Sequence, residues 1–190
     1  PLIGPAALKA VVEQAGFSAR CIDYNLDMWT QCKPKGLAHC WVDNDSNFTN
    51  RKQFETLWQE HLEPIVDKYM LDLQKQEPAY IGITVLSHWQ HNMCNKFIEK
   101  INCNLSSRII LGGPGVSPSY GKTQFDQGNI YAYVEGEGER ALVEILRGNL
   151  YYPGVNGRPP QQIENLNELP FPDYSDFDLS KYSHKWTDPR

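Results

Sequence analysis

The chain has 190 residues, of which 41% are hydrophobic, 22% charged and 12% aromatic. That is enough apolar material for a packed core, so wholesale disorder is excluded, and the length suits one ordinary domain with an appendage. The net charge of −5 speaks against a nucleic-acid partner, which needs a basic face. The most apolar run, Tyr80 to Leu86, is far shorter than the roughly 20 residues of a bilayer span, so no membrane partner is expected either.

Pro1 to Ala15 reads as a helix, with an apolar stripe of Leu2, Ala6, Ala7, Ala10, Val11 and Val12 and a C-capping Gly16. Ala19 to Asp23 is a short strand candidate. Residues 25 to 50 are mixed and polar and read as a loop or insertion. Arg51 to Gln74 reads as one long amphipathic helix, its apolar residues spaced by three and four from Phe54 to Leu73, which Pro64 kinks or splits near Leu62.

Tyr80 to Leu86 is a continuous apolar run, as expected of a strand buried on both faces of a parallel sheet. His88 to Ile101 reads as a helix, Arg108 to Leu111 as a second buried strand, Ala132 to Val134 as a third short one and Ala141 to Leu150 as a final helix. After Tyr151 the prolines at 153, 159, 160, 170 and 172 break every period, which predicts a linker or an extended arm over a surface. The expected architecture is therefore α/β: a domain over residues 1–150, with 26–75 as an insertion carrying the long helix, then a proline-rich C-terminal linker over 151–190.

Each glycine cluster follows a strand, and ligands of open α/β sheets bind at the carboxyl ends of strands. Gly112-Gly113-Pro114-Gly115 either makes a tight strand-to-helix turn or lets a ligand approach the backbone. It is no dinucleotide fingerprint, because position 118 is a proline. It is no P-loop, because Gly115 stands one residue too far from Gly121-Lys122-Thr123. In Glu135-Gly136-Glu137-Gly138-Glu139, three carboxylates either favour a helix N-terminus or accept hydrogen bonds from amide donors, but they repel phosphate.

His88, His91 and Cys94 share a helical face, yet no companion motif completes a metal site, and no catalytic triad is visible. The five cysteines are odd in number and lack C-x-x-C spacing, so they read as reduced thiols of a cytoplasmic protein.

The segments "PLIGPAALKAVVEQAGFSARCIDYN", "YIGITVLS", "RIILGGPGVSP", "VEGEGERALVEIL" and "IENLNELPFPDYSDFDLSKY", in that order, resemble the N-terminal cobalamin-binding region of cobalamin-dependent radical SAM enzymes. The resemblance covers residues 1–23 and 79–183, and its most discriminating pieces are the GEGE loop and the LNELPFPDYS bridge. It implies a flavodoxin-like (Rossmann-like), doubly wound parallel sheet that holds base-off cobalamin over the strand ends. The family pattern is D-x-H-x-x-G, then S-x-L, then G-G. Thr84-Val85-Leu86 resembles the second element, with Thr for Ser, and Gly112-Gly113 resembles the third.

The first element departs from the family. Aligning Gly4 with its glycine puts Pro1 at the histidine position, so the resemblance implies cobalamin bound without a histidine lower ligand, with Leu2 and Ile3 near that face. The cofactor-binding residues implied are Leu2, Ile3, Gly4, Thr84, Leu86, Ser87, Gly112, Gly113, Gly115, Val116, Glu135, Gly136, Glu137 and Gly138. The cysteine triad for a [4Fe–4S] cluster does not occur in this sequence. The cluster, SAM and the barrel that uses them are expected in a following domain, which would be the partner of this one, in a methyltransferase or a radical rearrangement enzyme. A first, central strand is likewise expected ahead of Pro1. The rival expectation is a degenerate domain that keeps the fold, binds no cofactor and serves as an interaction module. A small free-standing enzyme is disfavoured because no catalytic array accompanies the loops.

Overall fold

Three apolar runs pair into a parallel sheet in the order β1 (Tyr80–Thr84), β2 (Arg108–Gly112) and β3 (Ile130–Tyr133). The computed structural model describes residues 3–41, 46–116 and 130–182, with Ser46 and His88 described by backbone alone. The mixed α/β class expected from the alternating pattern is present, with three strands among the described residues. In register, Tyr80 faces Arg108 and Thr84 faces Gly112. β2 is central, and its Ile109, Ile110 and Leu111 are buried.

One face of the sheet carries the larger core. Ile109 and Leu111 pack there with Ile98 and Ile101 of α6 (His91–Asn104) and with Ile65, Val66, Tyr69 and Met70 of α5 (Glu63–Gln76). Residues 26–75 contribute to this same core. Within them the structure corrects the loop expected over 25–50, because Tyr24–Cys32 forms a helix, α2. Asp23 caps it by accepting the Leu26 N–H at 2.9 Å, and Tyr24, Met28 and Cys32 recur every fourth residue to make its apolar face. A short helix α3 (Ser46–Thr49) and α4 (Arg51–Leu57) follow.

The break near Leu62 is a π turn over Trp58–Leu62, in which the Glu63 N–H reaches back to the Trp58 carbonyl. Pro64 supplies no N–H, so the regular ladder fails at this point, and the wide turn takes up the mismatch while keeping Trp58 and Leu62 buried.

The other face carries Ile110, Ala132 and Val134 against Ala141 and Ile145 of α7 (Gly138–Leu146). Helix α1 (Ile3–Gln14) lies against α7, with Val11 and Val12 on Val143. Gly16 ends α1 with φ +90°, a left-handed conformation.

The strand expected over Ala19 to Asp23 does not form. A strand needs a neighbour for its backbone, and no described segment offers one. The Cys21 N–H donates to Asp176 instead, at 2.8 Å.

The proline-rich segment runs as an arm over the helices. Its first part closes the outer edge of β3. Val155 bridges Val134 antiparallel, the Tyr133 N–H donates to Asn156 Oδ1 at 2.9 Å, and the Glu135 N–H donates to the Gly154 carbonyl at 2.8 Å. Its later part is tied to α1. Lys9 Nζ lies 2.8 Å from Asp176, 3.2 Å from Asp173 and 2.7 Å from Ser175 Oγ, and the Asp173 N–H donates to the Ala6 carbonyl at 3.0 Å. Lys9 is buried, and the Asp176 hydrogen bond raises its pKa above the ordinary lysine value.

Candidate functional site

The carboxyl ends of the strands bring Thr84, Leu86, Ser87, Gly112, Gly113, Gly115, Val116 and the loop from Glu135 to Gly138 to one end of the sheet. Parallel pairing puts Thr84 and Gly112 opposite each other with side-chain positions on the same face, the face of Ile110 and α7. The neighbouring pair on that face is Gly82 and Ile110. A side chain at Gly82 would meet no heavy atom within 4 Å, and one at Gly112 would meet only Val134, at 3.8 Å. Among the described residues the sheet therefore has a bare shelf here, beside Thr84. Sequence reasoning missed Gly82. Its signal was a lone glycine inside an otherwise β-branched and aromatic strand, a place where another group approaches closely.

The second glycine of the pair is used differently. Gly113 has φ +100°, and a Cβ there would stand 2.6 Å from the Val85 carbonyl oxygen. A Cβ at Gly115 would stand 2.7 Å from Val85 Cγ1. Both glycines let the loop fold onto β1's end, where the Gly115 N–H donates to the Val85 carbonyl at 2.8 Å. His91 holds the same loop, with Nε2 3.3 Å from the Gly115 carbonyl. Val116 is buried, and Leu86 is 44% exposed with its N–H donated to Gln90 Oε1. The Ser87 carbonyl accepts the Gln90 N–H at 3.1 Å.

The acidic loop is divided among three tasks. The Glu137 carboxylate accepts the Ile163 N–H, and a Cβ at Gly136 would strike Pro160, so this part seats the arm. Gly138 lies against Leu8 of α1. Glu139, in the first turn of α7, has the one buried side-chain oxygen without a hydrogen-bond partner among the described residues, Oε2. A buried acceptor left unpaired costs about 1–3 kcal/mol, so this atom calls for a donor. At α1's start, Ile3 is 67% exposed and the space around Gly4 is open. Leu2 and Pro1 lie outside the described residues.

No group of three His, Cys, Asp or Glu among the described residues is placed to hold a metal ion. None of the five cysteines forms a disulfide. Burial pushes Cys94 up to about 12, and burial followed by the Asp176 charge pushes Cys21 up to about 11. Thiols so shifted stay protonated and are poor ligands and nucleophiles. No helix among the described residues is long and apolar enough to cross a membrane.

The chain matches no protein-family model, and it matches no solved structure. It is similar to an uncharacterized methyltransferase of Pyrococcus horikoshii, 29% identical over 127 residues that make up 58% of this chain and 27% of the relative. The chain thus spans about a quarter of the relative's length.

Proposed function

We propose that this chain is the cobalamin-binding module of a cobalamin-dependent radical SAM methyltransferase, with a flavodoxin-like sheet. The observation that carries the reading is the bare shelf at Gly82 and Gly112 beside Thr84, on the face shared with α7. A cofactor tail laid on a sheet needs side chains missing from that face, and bulky side chains there would have favoured the degenerate domain. The methyltransferase name of the Pyrococcus horikoshii relative supports the class of parent activity.

In this reading the Thr84 hydroxyl contacts the polar tail, and Glu139 Oε2 accepts from an amide of the corrin periphery. Exposed Ile3 and Leu86 offer apolar surface to the ring. Pro1 stands where the family histidine would be, so this loop gives cobalt no imidazole. Bound cobalamin supplies methyl-carrying cobalt chemistry. This chain's residues bind and orient it, while the iron–sulfur cluster and SAM belong to a separate domain.

The second reading is a domain without cofactor, favoured by Gly113 and Gly115 packing on Val85 and by Glu137 serving the arm. Desalting the protein after incubation with hydroxocobalamin separates the two. Cobalamin absorbance that co-elutes with protein, and is lost in Gly82→Trp while the circular dichroism spectrum is kept, is the expected result. No co-eluting absorbance overturns the proposal.

A further inference from the structure

Two lysines of α6 reach across to the helices of residues 51–76, and their surroundings differ in charge. Lys100 Nζ lies 2.7 Å from Glu63 and 2.7 Å from Asp67, so one cation meets two carboxylates. Lys96, one turn nearer the start of α6, lies 2.9 Å from Glu55 of α4. Its ammonium also stands 5.6 Å from the centre of the Trp58 ring, which helps to fix it in place. Glu99 is 4.0 Å away on the same helix and largely exposed.

A cleft of about 600 Å³ opens beside Lys96, lined by Arg51, Lys52, Glu55, Thr56, Gln59 and Lys96. Arg51, Glu55 and Gln59 recur every fourth residue, as do Lys52 and Thr56, so α4 and the π turn present one polar stripe that Lys96 faces from α6. The lining holds three cations and one carboxylate, in a chain whose net charge is −5. Lys96 neutralises that carboxylate. Among the described residues no acid pairs with Arg51 or Lys52. Every lining side chain carries a charged or hydrogen-bonding group, so the cleft suits an anion and not an apolar ligand.

The attraction rests on side chains and not on the amino end of α4. Asn50 Oδ1 already accepts the Lys52 and Gln53 N–H groups, at 3.0 and 3.2 Å. The Thr56 hydroxyl is also spent, donating to the Lys52 carbonyl at 3.3 Å. Arg51 offers a planar fork of donors, Lys52 and Lys96 offer ammonium groups, and Gln59 offers a neutral amide. Along α4, Arg51 stands one helical turn, about 5.4 Å, from the Glu55 that holds Lys96. A single phosphate is small beside that span and that volume, whereas two linked phosphates reach both ends.

We propose that this cleft binds a small molecule through a diphosphate group. Arg51 grips one phosphoryl group with its fork, Lys96 meets the other, and Lys52 adds charge between them. Diphosphate places more negative charge in this span than a dicarboxylate does, and so answers the surplus of cations better. Glu55 opposes the ligand and limits its affinity, because it competes for Lys96. The cleft lies on the α5 and α6 face of the sheet, opposite the shelf at Gly82 and Gly112, and it uses none of the glycine loops.

The proposal is independent of the cofactor reading, and so is its test, which uses no cobalamin. Sodium pyrophosphate is titrated into the isotope-labelled 190-residue chain, free of metal, in about 0.15 M salt, where long-range attraction is screened. The expected result is saturable movement of the Arg51, Glu55 and Lys96 amide resonances, with a Kd of about 1 mM or below. Arg51→Ala and Lys96→Met should each weaken binding by about tenfold or more. Glu55→Gln, which releases Lys96 and removes the opposing charge, should tighten it by about threefold or more. Lys68→Ala, at an exposed lysine of α5, should leave it unchanged. Arg51→Ala keeps the test decisive even if Lys96→Met unfolds, because Arg51 has no ion pair to lose among the described residues. Absence of saturation up to about 10 mM overturns the proposal. So does equal weakening by Lys68→Ala and Arg51→Ala, which would show diffuse attraction only. Citrate binding as tightly as pyrophosphate overturns the diphosphate assignment in favour of a carboxylate ligand.

Discussion

At the scale of single residues, glycines that look alike in sequence have opposite roles. Gly113 combines φ +100° with a Cβ position 2.6 Å from the Val85 carbonyl oxygen, so both conformation and space require glycine. Gly82 has open space and no left-handed φ. Gly113→Ala is expected to cost about 1–3 kcal/mol of folding stability. Gly82→Ala is expected to be neutral or to stabilise by about 0.4–1 kcal/mol, through the less flexible unfolded chain. Urea unfolding of the two variants checks this, and a Gly113→Ala protein as stable as the parent would mean that the loop does not fold onto Val85. The pair Gly112-Gly113 was legible in the sequence as a strand-end turn. Which of the two glycines leaves space was not, because that depends on the backbone of Val85, 27 residues or more away in the chain.

At the scale of elements, the arm is held by charge. Hydrogen bonds from the Ser175 backbone and hydroxyl, with help from Lys9, hold the Asp173 carboxyl down at about 2. Burial works to raise Asp176, and the Lys9 hydrogen bond and the Cys21 N–H overcome it, leaving its pKa lowered. Carboxylates with lowered folded pKa contribute stability above their unfolded value near 4 and lose it as pH falls through the folded value. Lys9, with its raised pKa, contributes below its unfolded value and loses its contribution only in strong alkali. The arm is therefore expected to stay docked from about pH 5 to pH 10 and to loosen as pH falls from about 4 to 2. Exchange of the Cys21 and Asp173 amides across this range measures it. Lys9→Met should speed protease cleavage between residues 158 and 182 at neutral pH, by about tenfold for each 1.4 kcal/mol of docking lost. Cleavage at the parent rate would show that the ion cluster does not hold the arm.

At the scale of the whole molecule, the two faces of the sheet have different work. One carries the large core of α5 and α6, and the other carries α7, α1 and the bare shelf. A ligand that fills the shelf stabilises the folded chain by mass action. Hydroxocobalamin at 100 times its dissociation constant is expected to add about 2.7 kcal/mol, read as a rise in Tm that Gly82→Trp abolishes. An unchanged Tm at saturating hydroxocobalamin would argue for the domain without cofactor.

The sequence alone determined the α/β class, the three strands, the break at Pro64 and the gathering of glycine loops at one sheet end. Each of these is written in local periodicity, in proline's missing N–H and in glycine punctuation, which act within a few residues of chain. Only the tertiary structure decided the rest. Ala19 to Asp23 has strand composition but no strand, because pairing depends on a neighbour that local sequence does not name. Tyr24 to Cys32 is helical because its apolar face found α5 and α6. The acidic loop became largely an anchor for the arm, and Lys9 met Asp173 and Asp176 across more than 160 residues of chain. Among the described residues, the acidic chain of 190 residues folds as a three-stranded parallel sheet whose β3 edge is closed by its own proline-rich arm.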